Sequence, residues 1–149
     1  MLFLLSLIDT EAVLRWNTTG LTIAGVTNQP GNASNKLNAP FGLALNYSNT
    51  LYIVDSYNNR VQKYLRDSSF GETVAGQKTG LSGSDPNTFN YSTGLALEVN
   101  GDIYVSDVNN HRIQLWTSGS TSGVTVAGIG KSIVNTSYSF LKRFFYNLL

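Results

Sequence analysis

The chain has 149 residues, with ten Lys and Arg against nine Asp and Glu, and no cysteine. That length points to one domain; the missing cysteine excludes disulfides, thiolate nucleophiles and Cys-ligated zinc. A net charge of +1 supplies no strong basic footprint for nucleic acid, and a charged fraction of 13%, against about 25% in an average soluble domain, suits an all-β chain of short, Gly-punctuated strands.

Residues 1–8, MLFLLSLI, are apolar but fall well short of the ~20 residues that span a bilayer. Two readings stand for this segment. A secretory signal or anchor would carry a basic start and a small-residue cleavage site, and no Lys or Arg precedes Arg15. The other reading is a degenerate partial blade over 1–25. Leu7-Ile8-Asp9-Thr10 and Val13-Leu14-Arg15-Trp16 shorten a pattern that recurs twice further on, and Leu21 to Gly25, LTIAG, closes it. Residues 26–40, VTNQPGNASNKLNAP, are rich in the loop formers Gly, Pro, Asn and Ser and read as a link.

The next stretch, 41–76, is repeated without a gap at 93–128. Gly42 matches Gly94, Asp55 matches Asp107, Arg60 matches Arg112 and Gly76 matches Gly128, each pair 52 residues apart. A fixed period of that size is the mark of a repeat architecture. Each copy reads as four short strands: Gly42–Leu45, Leu51–Val54, Arg60–Leu65 and Glu72–Ala75 in the first, Gly94–Leu97, Ile103–Ser106, Arg112–Thr117 and Val124–Ala127 in the second. Asn100-Gly101, with Ser48-Asn49 as its weaker counterpart, predicts a tight hairpin turn with positive φ at both central residues. Asp55 with Asn58, and Asp107 with Asn110, read as turn chemistry, their side chains bonding the backbone a residue or two on. The strands are apolar on both faces, as in Leu51-Tyr52-Ile53-Val54, so both faces of each sheet must be covered. A radial stack of small sheets, the β-propeller, does that. Between the copies, 77–92 is a second link, and Leu37 and Phe89 are the expected anchors of the two links.

The motif Gly-Leu-Ala-Leu, followed by Leu/Ile-Tyr-Ile/Val-x-Asp-x-x-Asn-x-Arg-Val/Ile-Gln, resembles the NHL repeat. The second copy carries the signature more fully, with Asp107, Asn110, His111, Arg112 and Ile113; the first has Asn59 where the second has His111. The resemblance covers 37–128 and implies blades of a propeller that in this family usually has six. Gly42, Asp55, Asn58, Arg60, Gly94, Asp107, Asn110, His111 and Arg112 are its signature positions, read here as structural.

After Gly128 the pattern breaks. A third Gly-Leu-Ala-Leu would open near 145, where the chain reads LKRFFYNLL; 129–149 is a broken repeat or overhang, a strand or a short helix. Six blades at this period would take about 300 residues. The chain is therefore expected to be a fragment of a longer propeller or half of an assembled one, self-associating through exposed blade faces.

No catalytic, cofactor or metal site is expected. Ala127-Gly128-Ile129-Gly130-Lys131-Ser132 lacks the leading Gly of a phosphate loop, having Thr125 there, and the repeat already explains it. His111, the one histidine, has too few companions for zinc and reads as a turn residue. Glu98 and Asp102 bring no cluster of the six to eight oxygens that calcium takes. Arg60 and Arg112 are expected to pair or stack within a blade. Trp16, Tyr64 and Trp116 hold equivalent places and read as a packing ladder. Five N-x-S/T sequons, at Asn17, Asn32, Asn46, Asn90 and Asn135, lean weakly to an extracellular setting. The function expected is a protein-interaction scaffold, not an enzyme. RNA binding and propeller lyase or hydrolase activity are the alternatives that the resemblance brings.

Overall fold

The computed structural model describes residues 20–128. These form two four-stranded antiparallel sheets, one per repeat, all-β and built as propeller blades are. The first contains β1 (Pro40–Leu45), β2 (Leu51–Asp55), β3 (Arg60–Tyr64) and β4 (Glu72–Gly76). The second contains β5 (Ser92–Leu97), β6 (Ile103–Asp107), β7 (Arg112–Trp116) and β8 (Val124–Ala127). Within each sheet the strands lie in chain order. The β2–β3 turn and the link therefore share one end of a sheet, and the β1–β2 and β3–β4 turns share the other.

The irregularities repeat as faithfully as the strands. The first pairing is bulged between Pro40 and Leu43 in one sheet and between Ser92 and Leu95 in the other. The third is bulged after Val61 and again after Ile113. Positive-φ residues recur at the 52-residue spacing: Asn28 with Gly80, Ala39 with Tyr91, Asn49 with Gly101, Asn59 with His111, Asp67 with Gly119 and Gly76 with Gly128. The sequence differs within most of these pairs, but the backbone does not.

The Asn100-Gly101 turn differs from the two-residue type expected. Of the two, only Gly101 has positive φ, at 91°. The Gly101 N–H donates to the Glu98 carbonyl at 3.0 Å and the Glu98 N–H to the Asp102 carbonyl at 2.9 Å. That is a turn closed by one left-handed residue, the three-residue hairpin loop with a bulge. Asn49 takes the same role in the first copy with φ 56°, and asparagine tolerates that region better than most side chains.

The core lies between the sheets. Tyr52, Val54, Val61 and Ala75 of the first sheet pack with Leu95, Ile103, Val105 and Trp116 of the second, with Ala44, Val74 and Leu97 at the margins. Phe89 is fully buried from the link and meets Trp116 with ring centroids 5.5 Å apart. The sheets touch closely where β1 passes β5. A Cβ on Gly42 would lie 2.5 Å from the Thr93 carbonyl oxygen and 3.3 Å from the Gly94 Cα, so glycine is required by backbone approach. At the bulge in the second sheet, the Ser106 hydroxyl takes up Gly94, accepting from its N–H at 2.7 Å and reaching its carbonyl at 3.3 Å. Tyr64 and Trp116 of the expected ladder are both buried; of the partial blade expected over 1–25, residues 20–25 are described and form no strand, while Trp16 and the rest of that blade, the 129–149 overhang and the motif ending at Ser132 lie outside the described residues.

Candidate functional site

The signature residues assemble into two copies of one buried polar clamp. In the first, a short 3-10 turn over Ser56–Asn58 brings Asp55, Asn58 and Arg60 together at the end of β2 and the start of β3. One Asp55 oxygen accepts from Arg60 Nε and Asn58 Nδ2, both at 2.9 Å. The other accepts from the Asn38 N–H at 2.6 Å. Asn58 also donates to the Gly31 carbonyl at 2.8 Å. Arg60 Nη1 donates to Asn32 at 2.7 Å and Lys78 at 3.1 Å, and Nη2 to Ala33 at 3.1 Å and Lys36 at 3.2 Å, all carbonyls. The guanidinium has five N–H donors, and all five are used.

The second clamp is the same arrangement 52 residues on. Asp107 accepts from Arg112 Nε and Asn110 Nδ2 at 2.8 Å and from the Asn90 N–H at 2.7 Å. Asn110 donates to Gly83 at 2.8 Å. Arg112 reaches the carbonyls of Ser84 at 2.7 Å and of Asp85 and Thr88 at 3.0 Å. Burial pushes the Asp107 carboxyl above its ordinary 3.8, opposed by its bonds to the Asn90 N–H, Asn110 and Arg112 and by the Arg112 charge.

The Asp and Asn side chains thus hold the preceding link, 17 to 27 residues away, rather than the backbone just after them. Further bonds tie down the same link: Gly71 N–H to the Ser34 carbonyl at 2.7 Å, copied by Gly123 N–H to Pro86 at 2.8 Å. Asn59 and His111 sit beside the clamps at φ 48° and 52°. The Asn59 Oδ1 accepts from the Tyr91 N–H at 2.9 Å. Gly42 and Gly94 lie apart from the clamps, where the two inner strands meet. The carboxylates and guanidinia of both clamps are buried, and among the described residues no three His, Cys, Asp or Glu gather as metal ligands. Glu98 and Asp102 sit at the far end, taken up by the Tyr104 hydroxyl at 2.9 Å and the Ser118 N–H at 2.9 Å respectively.

What the clamps hold rigid is the loop end of the two sheets. There the copies cease to match. Tyr57, where the second copy has Asn109, is 61% exposed. Its ring lies 5.8 Å from that of Tyr91, where the first copy has Ala39. Asn109 Nδ2 donates to Asn90 Oδ1 at 3.1 Å, extending the patch across the second sheet. Sequence reasoning passed over this tyrosine pair. The signal that could have found it is the mismatch of the repeats at Tyr57/Asn109 and Ala39/Tyr91.

Comparison with known proteins adds the ancestry. Residues 89–115, from the buried Phe89 through the second clamp into β7, match the NHL repeat. The chain is 34% identical over 86 residues to NHL repeat-containing protein 2 of Homo sapiens, covering 54% of this chain and 12% of that protein. It is 35% identical over 86 residues to the protein of the same name from Gallus gallus, with the same coverage. The matched stretch is thus about an eighth of either relative's length. The doubled clamp, the paired four-stranded sheets and these matches identify an NHL-repeat chain, homologous over part of its length to NHL repeat-containing protein 2.

Proposed function

We propose that these repeats form a protein-interaction scaffold and that the loop end carrying Tyr57 and Tyr91 is its contact surface, with a binding role rather than a catalytic one. The observation that carries this reading is the exposed Tyr57 ring, set on a 3-10 turn whose flanking residues are locked by the first clamp. A large aromatic held rigid before association loses little entropy on binding, and tyrosine is enriched among the residues that dominate interfaces. Rigid sheets presenting variable loops are a common basis for recognition.

The test is affinity capture with cross-linking on the chain and on Tyr57→Asn, which installs the residue that the second repeat already tolerates. Tyr47→Asn, at the opposite end of the sheet and 92% exposed, is the control. The reading expects partners that survive the control and are lost with Tyr57→Asn. Capture indifferent to Tyr57, or retention on immobilised RNA that falls steeply with salt, overturns it.

A further inference from the structure

The fold treats the N-x-S/T sequons of this chain unequally. Asn17 and Asn135 lie outside the described residues, and Asn32, Asn46 and Asn90 lie within them. Two of these three are built into the clamps. The Asn32 carbonyl accepts from Arg60 Nη1 at 2.7 Å, and its Nδ2 donates to the Thr79 carbonyl at 3.2 Å. The hydroxyl residue of that sequon, Ser34, is half-buried, its carbonyl taking the Gly71 N–H at 2.7 Å and the Tyr64 hydroxyl at 3.2 Å. Asn90 gives its N–H to Asp107 at 2.7 Å, and Asn109 donates to both its carbonyl and its Oδ1, each at 3.1 Å. The hydroxyl residue there, Ser92, is fully buried, so the Oγ that a sequon must offer is out of reach.

Asn46 differs on every count. It opens the β1–β2 turn, at the end of the sheet opposite the clamp. Its Oδ1 accepts from the Ser48 N–H at 3.0 Å and the Thr50 N–H at 2.9 Å, and those two bonds are all that the turn asks of the side chain. Its Nδ2 donates to no described residue. An aspartate, with the same acceptor oxygen and no amide nitrogen, would cap the turn equally well, so the nitrogen is surplus to the fold. Tyr47 is 92% exposed, and Ser48 and Asn49 after it are exposed too. The second repeat has Glu98 and Asn100 at the places of Asn46 and Ser48. The sequon is therefore not something that the repeat itself requires.

We infer that Asn46 is an N-linked glycosylation site, the one of these three sequons that the folded chain leaves open, and that the chain follows the export route on which such glycans are added. The donor is a lipid-pyrophosphate-linked oligosaccharide. Nδ2 of Asn46 attacks C1 of the first sugar, and the bond from C1 to the pyrophosphate oxygen breaks. The lipid pyrophosphate leaves, and the amide gives up one of its two protons. Oδ1 takes no part, so the turn keeps both of its bonds. The glycan is a bulky, solubilising surface group, and it covers the turn end of the first sheet. The loop end bearing Tyr57 and Tyr91 stays clear, so this inference stands apart from the binding role.

Glycopeptide mapping of the full chain, taken from its own organism, tests this. Peptide-N-glycosidase in heavy-oxygen water converts each glycosylated Asn to an Asp that carries the heavy oxygen, and a digest without the enzyme corrects for spontaneous deamidation. Mass spectrometry is expected to find the label at Asn46 and not at Asn32 or Asn90. An unlabelled Asn46 overturns the inference and leaves Asn46 as a turn residue only. Label at Asn32 or Asn90 to the same extent as at Asn46 overturns the selection by the fold. A variant gives the second reading. Ser48→Ala keeps the N–H that caps the turn and removes the sequon hydroxyl. Secreted from a eukaryotic cell behind a cleavable leader, it is expected to lose the Asn46 glycan while its circular dichroism, after deglycosylation of both chains, matches that of the parent. A variant that keeps the full glycosylated mass of the parent counts against the site.

Discussion

The Arg60 guanidinium meets the Asp55 carboxylate at 2.9 Å with both side chains out of solvent, and its remaining donors go to backbone carbonyls of two different links. Removing one member of a buried pair leaves an uncompensated charge and typically costs about 3–5 kcal/mol. Here the removal would also free four carbonyls. Arg60→Ala is expected to lose at least that range in urea unfolding, a large share of the stability of any small domain. Arg60→Lys recovers only part, because an ammonium has three donors where the site uses five. Lys63→Ala, at the part-exposed Lys63–Glu72 pair, is the comparison and is expected to cost no more than about 1 kcal/mol. Equal losses at Arg60 and Lys63 would refute the clamp.

The close approach of the sheets at Gly42 gives a second expectation. A methyl there meets backbone, the Thr93 carbonyl and the Gly94 Cα, which cannot rotate away as a side chain would. Gly42→Ala is expected to destabilise by about 1–3 kcal/mol, the usual range for overpacking. Gly20→Ala, with nothing within 4 Å of the added Cβ, is expected to be neutral or slightly stabilising. Thermal unfolding of the two variants side by side checks both, and a Gly42→Ala chain as stable as its parent would mean that the sheets do not pack as described.

Much of this fold could be read from the chain because each strand is written twice. The 52-residue register separated the positions that both copies need from those that differ, and it located all eight strands to within two residues at either end. The clamp geometry was hidden for a physical reason. Apart from the carboxylate, its acceptors are backbone carbonyls of Gly31, Asn32, Ala33, Lys36 and Lys78, and every residue type has a carbonyl. Sequence could mark Asp55 and Arg60 as special without showing that they grip a link some 20–30 residues upstream. The Asn100-Gly101 turn misled in the other direction. The dipeptide favours two left-handed residues, but the loop closes with only Gly101 in that region, and Asn100 instead donates to Asp102 at 2.9 Å and accepts from its N–H at 3.1 Å.

His111 bears on how the repeats tolerate substitution. Its φ of 52° lies in a region that costs most L-residues about 1–2 kcal/mol and that asparagine enters more readily. The first copy has Asn59 there at φ 48°. His111→Asn is therefore expected to fall within about 0.5 kcal/mol of the parent, as for an ordinary surface change. His111→Val, branched at Cβ, is expected to lose about 1–2 kcal/mol or more. A ligand role for the imidazole would instead appear as a loss of binding with His111→Asn at unchanged stability.

Asp107 supplies a pH signature. Its carboxyl sits above the ordinary 3.8 because burial outweighs the bonds from Asn90, Asn110 and Arg112. The folded state therefore holds the proton more tightly than the unfolded one. By linkage, the Asp107 contribution to stability is fully present below the unfolded value near 3.8 and is lost as pH rises through the higher folded value. Asp107→Asn removes this titration while leaving every other carboxylate in place. The stability difference, parent minus variant, is expected to shrink as pH rises from below 3.8 through the acid range, read from urea midpoints at matched pH. If attraction to Arg112 outweighed burial, the folded value would lie below 3.8 and the difference would widen with rising pH instead. The sign of that slope decides which force governs the clamp.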